Sequence, residues 1–346
     1  MRKVCVFLPN WVGDLVMATP TLRALRHHFG GEARITGIMK PYLTDILAGT
    51  SWLDEIWFYD RTGTDPAIRP QALARRLRGA RFDLSVHLTN DFLSAFLARW
   101  GRVAERVGYA RYHRGALLTR RLYPPRDGRR YVPFSTLDYY LRIAAAVGCP
   151  PEPADMEMAT TAEEERRADE AWRNLGIAPG TEVVALNSSG AYGAAKLWPD
   201  ESFTELARTI AVETGLEVLV ICGPQERERA ARIEKQAGHE RVRSLAGQEL
   251  SLGLTKACLK RCRLLVTTDS GPRHIAAAFG RRIISLLGPT HQAWSDTHYD
   301  GDTPLQLALD CGPCQQRECP LGHHRCMRDL PVGSVMAEVR KALGAR

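Results

Sequence analysis

The chain has 346 residues, 45% of them hydrophobic and 25% charged, with a formal net charge of +8. That length exceeds one ordinary hydrophobic core and implies two domains, and the composition excludes a disordered, collagen-like or low-complexity chain. No stretch forms a secretory leader or reaches the roughly 18 to 20 apolar residues that cross a bilayer, so the nine cysteines are expected as thiols or ligands in a reducing cytoplasm.

In chain order, "KVCVFL" reads as a buried strand, and "LPNWVGD" as a tight turn into a helix beginning near Asp14. Leu15, Thr19, Leu22, Leu25 and Phe29 recur at helical spacing. Gly13 is expected to let that turn be tight, and Asp14 would then stand at the mouth of the helix. "ARITGIM" and "FDLSVHL" are further strands. Charge is uneven: residues 1–150 hold 23 Lys and Arg against 12 Asp and Glu, or +11, and the remainder holds 24 against 27, or −3. The densest basic stretch, "RYHRGALLTRRLYPPRDGRR", carries Arg111, Arg114, Arg120, Arg121, Arg126, Arg129 and Arg130. Such a field attracts phosphates, although a solvated surface has the same composition.

"GCPPEPADMEM" is a proline-rich connector, and the domains are expected at 1–155 and 156–346. Beyond it, "EVVALN", "EVLVICG", "RLLVTTD" and "RIISLLG" are apolar runs separated by helical patterns, as buried parallel strands would be. "ESFTELARTIAVETG" puts Phe203, Leu206, Ala207 and Ile210 on one face and stops at Gly215. The final "PVGSVMAEVRKALG" is an amphipathic helix that could cross back onto the first domain. The fold class is therefore α/β, with two doubly wound, Rossmann-like domains whose strand ends are expected to face one cleft.

Three strand ends in the second half carry chemistry. "TTDSGPRHIAAAFG" places Asp269, Ser270 and Gly271 before a helix with Pro272 in its first turn and His274 close behind, an anion site or merely a capped helix. "NSSGAYGAAKLWP" puts Ser188, Ser189 and Lys196 in a loop that could cradle a diphosphate; it does not match the Walker pattern. "ICGPQERERAA" puts Glu226 at a helix start, where it could accept from ribose hydroxyls or serve only as a first-turn charge. Together they read as a nucleotide diphosphate site. "CGPCQQRECPLGHHRC" holds Cys311, Cys314, Cys319 and Cys326 with His323 and His324, but the second cysteine pair is spaced too widely for an ordinary zinc site, and no metal is assigned.

At these residues the chain resembles glycosyltransferase family 9, the bacterial heptosyltransferases of lipopolysaccharide inner-core assembly. The resemblance runs through "NWVGDLVMATPTLRALR", "GYARYHRG", "GAYGAAKLWP", "TTDSGPRHIAAAFG" and "CGPCQQRECPLGHHRCM", nearly the whole chain, and the last segment is the most specific to one branch of the family. It implies the glycosyltransferase-B fold and an inverting transfer that needs no metal or other cofactor. The donor, ADP-heptose, would bind the second domain through Ser188, Ser189, Lys196, Glu226, Asp269, Ser270, Gly271 and His274. The acceptor, a heptosylated Kdo-lipid A core, would approach the basic first domain at Asn10, Trp11, Gly13, Arg111, Arg114 and Arg120, with Asp14 as general base. Work from the cytoplasmic face of the inner membrane, by peripheral contact, follows. The chain departs from the family at Ser188 and Ser189, where relatives commonly have Pro-Gly, and at Arg273, which replaces an apolar residue and would lie close to the donor. A different nucleotide sugar or acceptor is the alternative within the family. Nucleic-acid binding is a lesser one, since no helix-turn-helix, RNP-like or finger pattern is present.

Overall fold

The computed structural model describes residues 1–190 and 193–344, which fall into two compact units, Met1–Ala159 and Thr160–Arg346. Ala191 and Tyr192 of the cradle segment lie outside the described residues.

Unit 1 is built on β1 (Arg2–Phe7), β2 (Ala33–Met39), β3 (Glu55–Phe58), β4 (Leu84–His87), β5 (Glu105–Tyr109) and β6 (Arg120–Leu122). The spatial order is β3-β2-β1-β4-β5-β6, with every pairing parallel. A short ribbon, β7 (Arg126–Asp127) and β8 (Arg130–Tyr131), follows. The helices are α1 (Val12–Met17), α2 (Thr19–Phe29), α3 (Thr44–Leu47), α4 (Pro70–Ala80), α5 (Phe92–Trp100) and α6 (Thr136–Val147). Leu73 and Leu77 of α4 and Leu97 and Ala98 of α5 bury one face of the sheet at Cys5, Phe7 and Ile38. Strands covered in this way are apolar throughout, which is why "VCVF" shows no alternation.

Unit 2 repeats the plan with β9 (Val183–Asn187), β10 (Glu217–Ile221), β11 (Val242–Ser244), β12 (Leu264–Thr268), β13 (Arg282–Leu287) and β14 (Asp302–Gln306). The order is β11-β10-β9-β12-β13-β14, again all parallel. Its helices are α7 (Ala162–Asn174), α8 (Asp200–Thr214), α9 (Arg227–Ala237), α10 (Leu252–Arg261), α11 (Gly271–Ala278), α12 (Arg325–Arg328) and α13 (Val332–Leu343). Gly215 ends α8 in the left-handed region at φ 68°, the C-cap its position suggested.

In each sheet the strand order reverses beside the first strand, between β1 and β4 and between β9 and β12. The chain leaves those neighbouring strands in opposite directions, so a crevice opens at their C-terminal ends, where such sheets take ligands.

Several expectations change. The helix expected from Asp14 is two: α1 ends at Met17, and Pro20, in the first turn of α2, has no N–H with which to continue a single ladder. Gly13 is the second residue of α1 and is not among the glycines at positive φ, so the turn does not depend on its left-handed freedom. The first unit extends four residues past position 155, where α2 still holds the connector: the Glu157 amide donates to Thr19 Oγ1 at 3.2 Å and its carboxylate pairs at 2.9 Å with Arg23. Arg23 Nε donates to Glu152 at 2.5 Å, and its other nitrogens donate to the carbonyls of Asp155 at 2.9 Å and Pro153 at 2.8 Å. The C-terminal helix, expected to cross back, buries Val335, Met336 and Val339 and packs on α8 and β13 of its own unit.

Candidate active site

In unit 2 the crevice is latched by Asn187, the last residue of β9, whose Nδ2 donates to Thr267 Oγ1 and to Ser270 Oγ, each at 2.8 Å. Thr268 donates its hydroxyl to the Ser189 carbonyl from the other side. Ser270 is the N-cap of α11 in extended conformation, yet its side chain makes no capping bond. The hydroxyl is occupied by Asn187, which leaves the first turn of α11 without a side-chain acceptor. An uncapped helix N-terminus at a topological switch point is an anion site. Two polar atoms beside it are buried and have no hydrogen-bond partner among the described residues, Ser188 Oγ and His274 Nδ1. Each such atom costs about 1–3 kcal/mol unless a ligand supplies the missing partner.

Lys196 is 8% exposed, and its Nζ donates to Asp269 Oδ2 at 2.6 Å and to the Asp269 carbonyl at 3.0 Å. Sequence alone left Lys196 as a cation awaiting phosphate; here a carboxylate already holds it. Asp269 also accepts from Thr290 Oγ1 at 2.7 Å and from Arg273 at 3.1 Å. Burial opposes its ionisation, but the Lys196 and Arg273 charges outweigh that and hold its carboxyl well below the usual range. Arg273 continues the chain: its Nε meets Asp302 at 2.7 Å, and Asp302 accepts from Ser285 at 2.8 Å. Arg273, expected close to the donor, is thus a buried strut between two carboxylates. His274 is buried next to it; desolvation first, and then the Arg273 charge, pull its imidazole down to about 3, so it is neutral.

Glu226 caps α9 at the end of β10, half-buried, with its Oε2 over Gly223, where a Cβ would come within 2.8 Å. Sequence reasoning missed Arg229, which donates to the carbonyls of Ser188 at 2.8 Å and Trp198 at 2.7 Å and pairs with Asp200. It fastens both ends of the cradle, and nothing in "ERERAA" separates it from its solvated neighbours. The cysteine segment lies behind the same loop: Ala195 donates its amide to the Arg317 carbonyl at 3.0 Å, and a Cβ on Gly193 would run into that carbonyl. Backbone amides, that of His324 foremost, point at the Cys319 sulfur and lower its thiol. Among the described residues, no three His, Cys, Asp or Glu side chains gather as a metal set.

In unit 1 the equivalent crevice begins at Asn10, whose carbonyl accepts from the Tyr42 hydroxyl. Trp11 is the N-cap of α1 and 48% exposed, and Asp14 lies in its first turn, half-buried. Burial, then the Asp14 charge, push the Tyr42 and Tyr140 hydroxyls up, so two protonated phenols stand near that carboxylate. A cavity of about 670 Å³ opens at this edge, lined by Asn10, Lys40, Arg61, Thr89, Asp91 and Phe92 among others. A larger one in unit 2, about 1200 Å³, is lined by Thr181, Glu182, Cys262 and Arg263, which precede β9 and β12. It sits at the N-terminal edge, the wrong end of a parallel sheet for a ligand.

The three arginines expected at the acceptor part company. Arg111 follows β5 at the C-terminal edge and stacks 4.2 Å from the Tyr131 ring and 5.0 Å from that of Tyr112. Arg114 is fully buried, its guanidinium donating to the carbonyls of Tyr109 at 2.8 Å and Thr89 at 2.5 Å and to Asn90 Oδ1 at 3.2 Å. Desolvation pulls it down to about 10. It braces the β4–α5 turn and cannot meet an acceptor. Arg120 pairs with Glu105, the first residue of β5, at 2.7 Å and donates to the Ala146 carbonyl in the last turn of α6. That is the opposite edge of the sheet from Asp14.

The family model for glycosyltransferase family 9 (heptosyltransferase) matches residues 71–325. Lipooligosaccharide heptosyltransferase 2 of Campylobacter jejuni is 25% identical over 344 residues, covering 98% of each chain. Among solved structures, the ADP-heptose lipopolysaccharide heptosyltransferase II of Escherichia coli superposes with a TM-score of 0.79 at 21% identity, over 99% of this chain and 98% of that one. A family 9 glycosyltransferase from Veillonella parvula gives 0.83 at 19%, over 99% and 97%. Two parallel-sheet domains of the glycosyltransferase-B type are the fold these structures share with the chain.

Proposed function

The chain belongs to glycosyltransferase family 9, and from that premise we propose that it transfers a heptose from ADP-heptose to the inner core of lipopolysaccharide. The observation that carries the reading is the uncapped N-terminus of α11 at the β9/β12 switch point, with Ser188 Oγ and His274 Nδ1 buried and unpartnered beside it. A diphosphate supplies acceptors to the helix amides and to the Ser188 hydroxyl, and the heptose offers a hydroxyl to the neutral imidazole. Lys196, held in place by Asp269, is the nearby cation, and Glu226 at the end of β10 accepts from the ribose.

In unit 1, Asp14 takes the proton from the acceptor hydroxyl as its oxygen attacks the anomeric carbon. The bond from that carbon to the phosphate oxygen breaks, ADP leaves with the electron pair, and configuration inverts in one step. Charge on the departing diphosphate falls to the α11 amides and Lys196. The acceptor's anionic sugars enter the cavity beside Lys40 and Arg61, with Asn10, Trp11 and Arg111 at the same sheet edge. Among the described residues no helix is long and apolar enough to cross a membrane. A lipid-borne acceptor is reached by peripheral contact at the cytoplasmic face.

The test is transfer from a panel of nucleotide sugars to inner-core acceptors. Transfer from ADP-heptose, with the anomeric configuration inverted by NMR, is expected. Transfer from another donor, with none from ADP-heptose, would replace this assignment by a different sugar within the family.

A further inference from the structure

We propose that the exposed aromatic ridge of α5 is a membrane-interface anchor that settles on an anionic lipid bilayer; the inference rests on the lipid-borne acceptor of the proposed function. Phe92, Phe96 and Trp100 recur at every fourth residue and are 47%, 38% and 51% exposed. Their rings form a row, with centroids 6.2 Å apart for Phe92 and Phe96 and 5.7 Å for Phe96 and Trp100. A continuous apolar ridge of this size in water marks a contact surface. The opposite side of α5, at Ala95, Leu97 and Ala98, is already committed to the core, so the ridge presents a half-helix to whatever it meets. Aromatic residues with a tryptophan at one end suit the headgroup boundary, and a helix lying in that plane needs cations beside its apolar face.

The cations are present. Arg99 is exposed on the same arc of α5, and Arg102 is exposed just past its end. The turn at Gly115–Leu117 packs on α5 and leads into the segment in which Arg121, Arg129 and Arg130 are exposed together with Tyr123. With Arg126, also exposed, they are arginines of the basic stretch that neither the core nor the candidate active site uses. Phe92 belongs to both the ridge and the 670 Å³ cavity. A substrate whose lipid stays in the bilayer therefore reaches the cavity from the surface on which the ridge would rest. Charge, apolar area and continuity with the acceptor cavity all favour an anionic bilayer as the occupant.

The experiment is co-sedimentation of the full chain with vesicles of phosphatidylcholine alone or mixed with phosphatidylglycerol. The wild type is expected to sediment with the mixed vesicles. Phe96→Ser with Trp100→Ser is expected to weaken partitioning by ~10-fold or more, with ADP binding by calorimetry unchanged. Arg99→Glu with Arg102→Glu, which keeps the aromatics, should erase the preference for phosphatidylglycerol. Wild-type partitioning by the aromatic double variant would overturn the proposal. So would absence of binding by the wild type, or a dimer that the same substitutions dissociate, since the ridge would then join two copies. Transfer to a delipidated, water-soluble acceptor separates the two readings. If it fails while vesicle binding and its loss on substitution persist, the acceptor assignment falls and the anchor stands.

Discussion

Asp14 and His274, each in the first turn of a helix, are given different tasks by the proposed mechanism. Asp14 stands near phenols that remain protonated, so Asp14→Ala should leave ADP affinity by calorimetry within twofold while transfer falls by ~10²-fold or more. Unchanged turnover would remove Asp14 as the base. His274, with its imidazole at about 3, lies below its unfolded value of about 6.5. Between those values the unfolded chain binds a proton that the folded chain does not, so stability falls as pH drops from 6.5 toward 3. His274→Gln should flatten that acid limb in urea titrations by on the order of a few kcal/mol. Its effect on transfer should be independent of pH between 6 and 9, because a neutral imidazole has no proton to lose there. Arg114 is the residue that charge counting misplaced. An arginine in a basic stretch reads as a surface cation, and only the carbonyls at the ends of β4 and β5 reveal it as a brace. Arg114→Lys should cost about 3 kcal/mol in denaturant unfolding, since an ammonium cannot span three acceptors in a plane.

The elements that sequence made legible are those whose chemistry is local. "EVLVICG" and "RIISLLG" are interior strands of a covered sheet, each paired on both sides, and are apolar for that reason, and Pro272 and Gly215 mark a helix start and a helix end by their backbone chemistry. The strands that were not legible lie toward the margins. β14 carries Pro304 and β6 begins with two arginines, both features of edges that avoid further pairing. The cysteine segment was legible as the stretch most specific to one branch of the family, but its place behind the cradle was not, because the contact joins residues far apart in sequence. Gly193→Ala tests that contact: a methyl group there displaces the Arg317 backbone, so ADP affinity should drop by ~10-fold or more while the fold's circular dichroism is retained. Affinity equal to wild type would show that the loop does not support the cradle.

Across the whole chain the same strand order appears twice. This repetition was readable in outline from alternating strands and helices, and counting charges separates a basic first half from a near-neutral second half. If the donor belongs to the second unit, hydrogen exchange with and without ADP should slow amides near 187–197 and 268–274 and leave residues 8–14 unchanged. Protection in the first unit instead would reverse the assignment of the halves. The buried chain from Lys196 through Asp269 and Arg273 to Asp302 has a further consequence. It alternates in sign and sums to zero, and its last member sits on the edge strand β14. Such a chain has almost no field at long range, so it does not draw nucleotides from a distance. In the proposed donor site the diphosphate is held at short range by helix amides that salt screens poorly, so donor binding should change little with ionic strength even though the protein carries eight surplus positive charges.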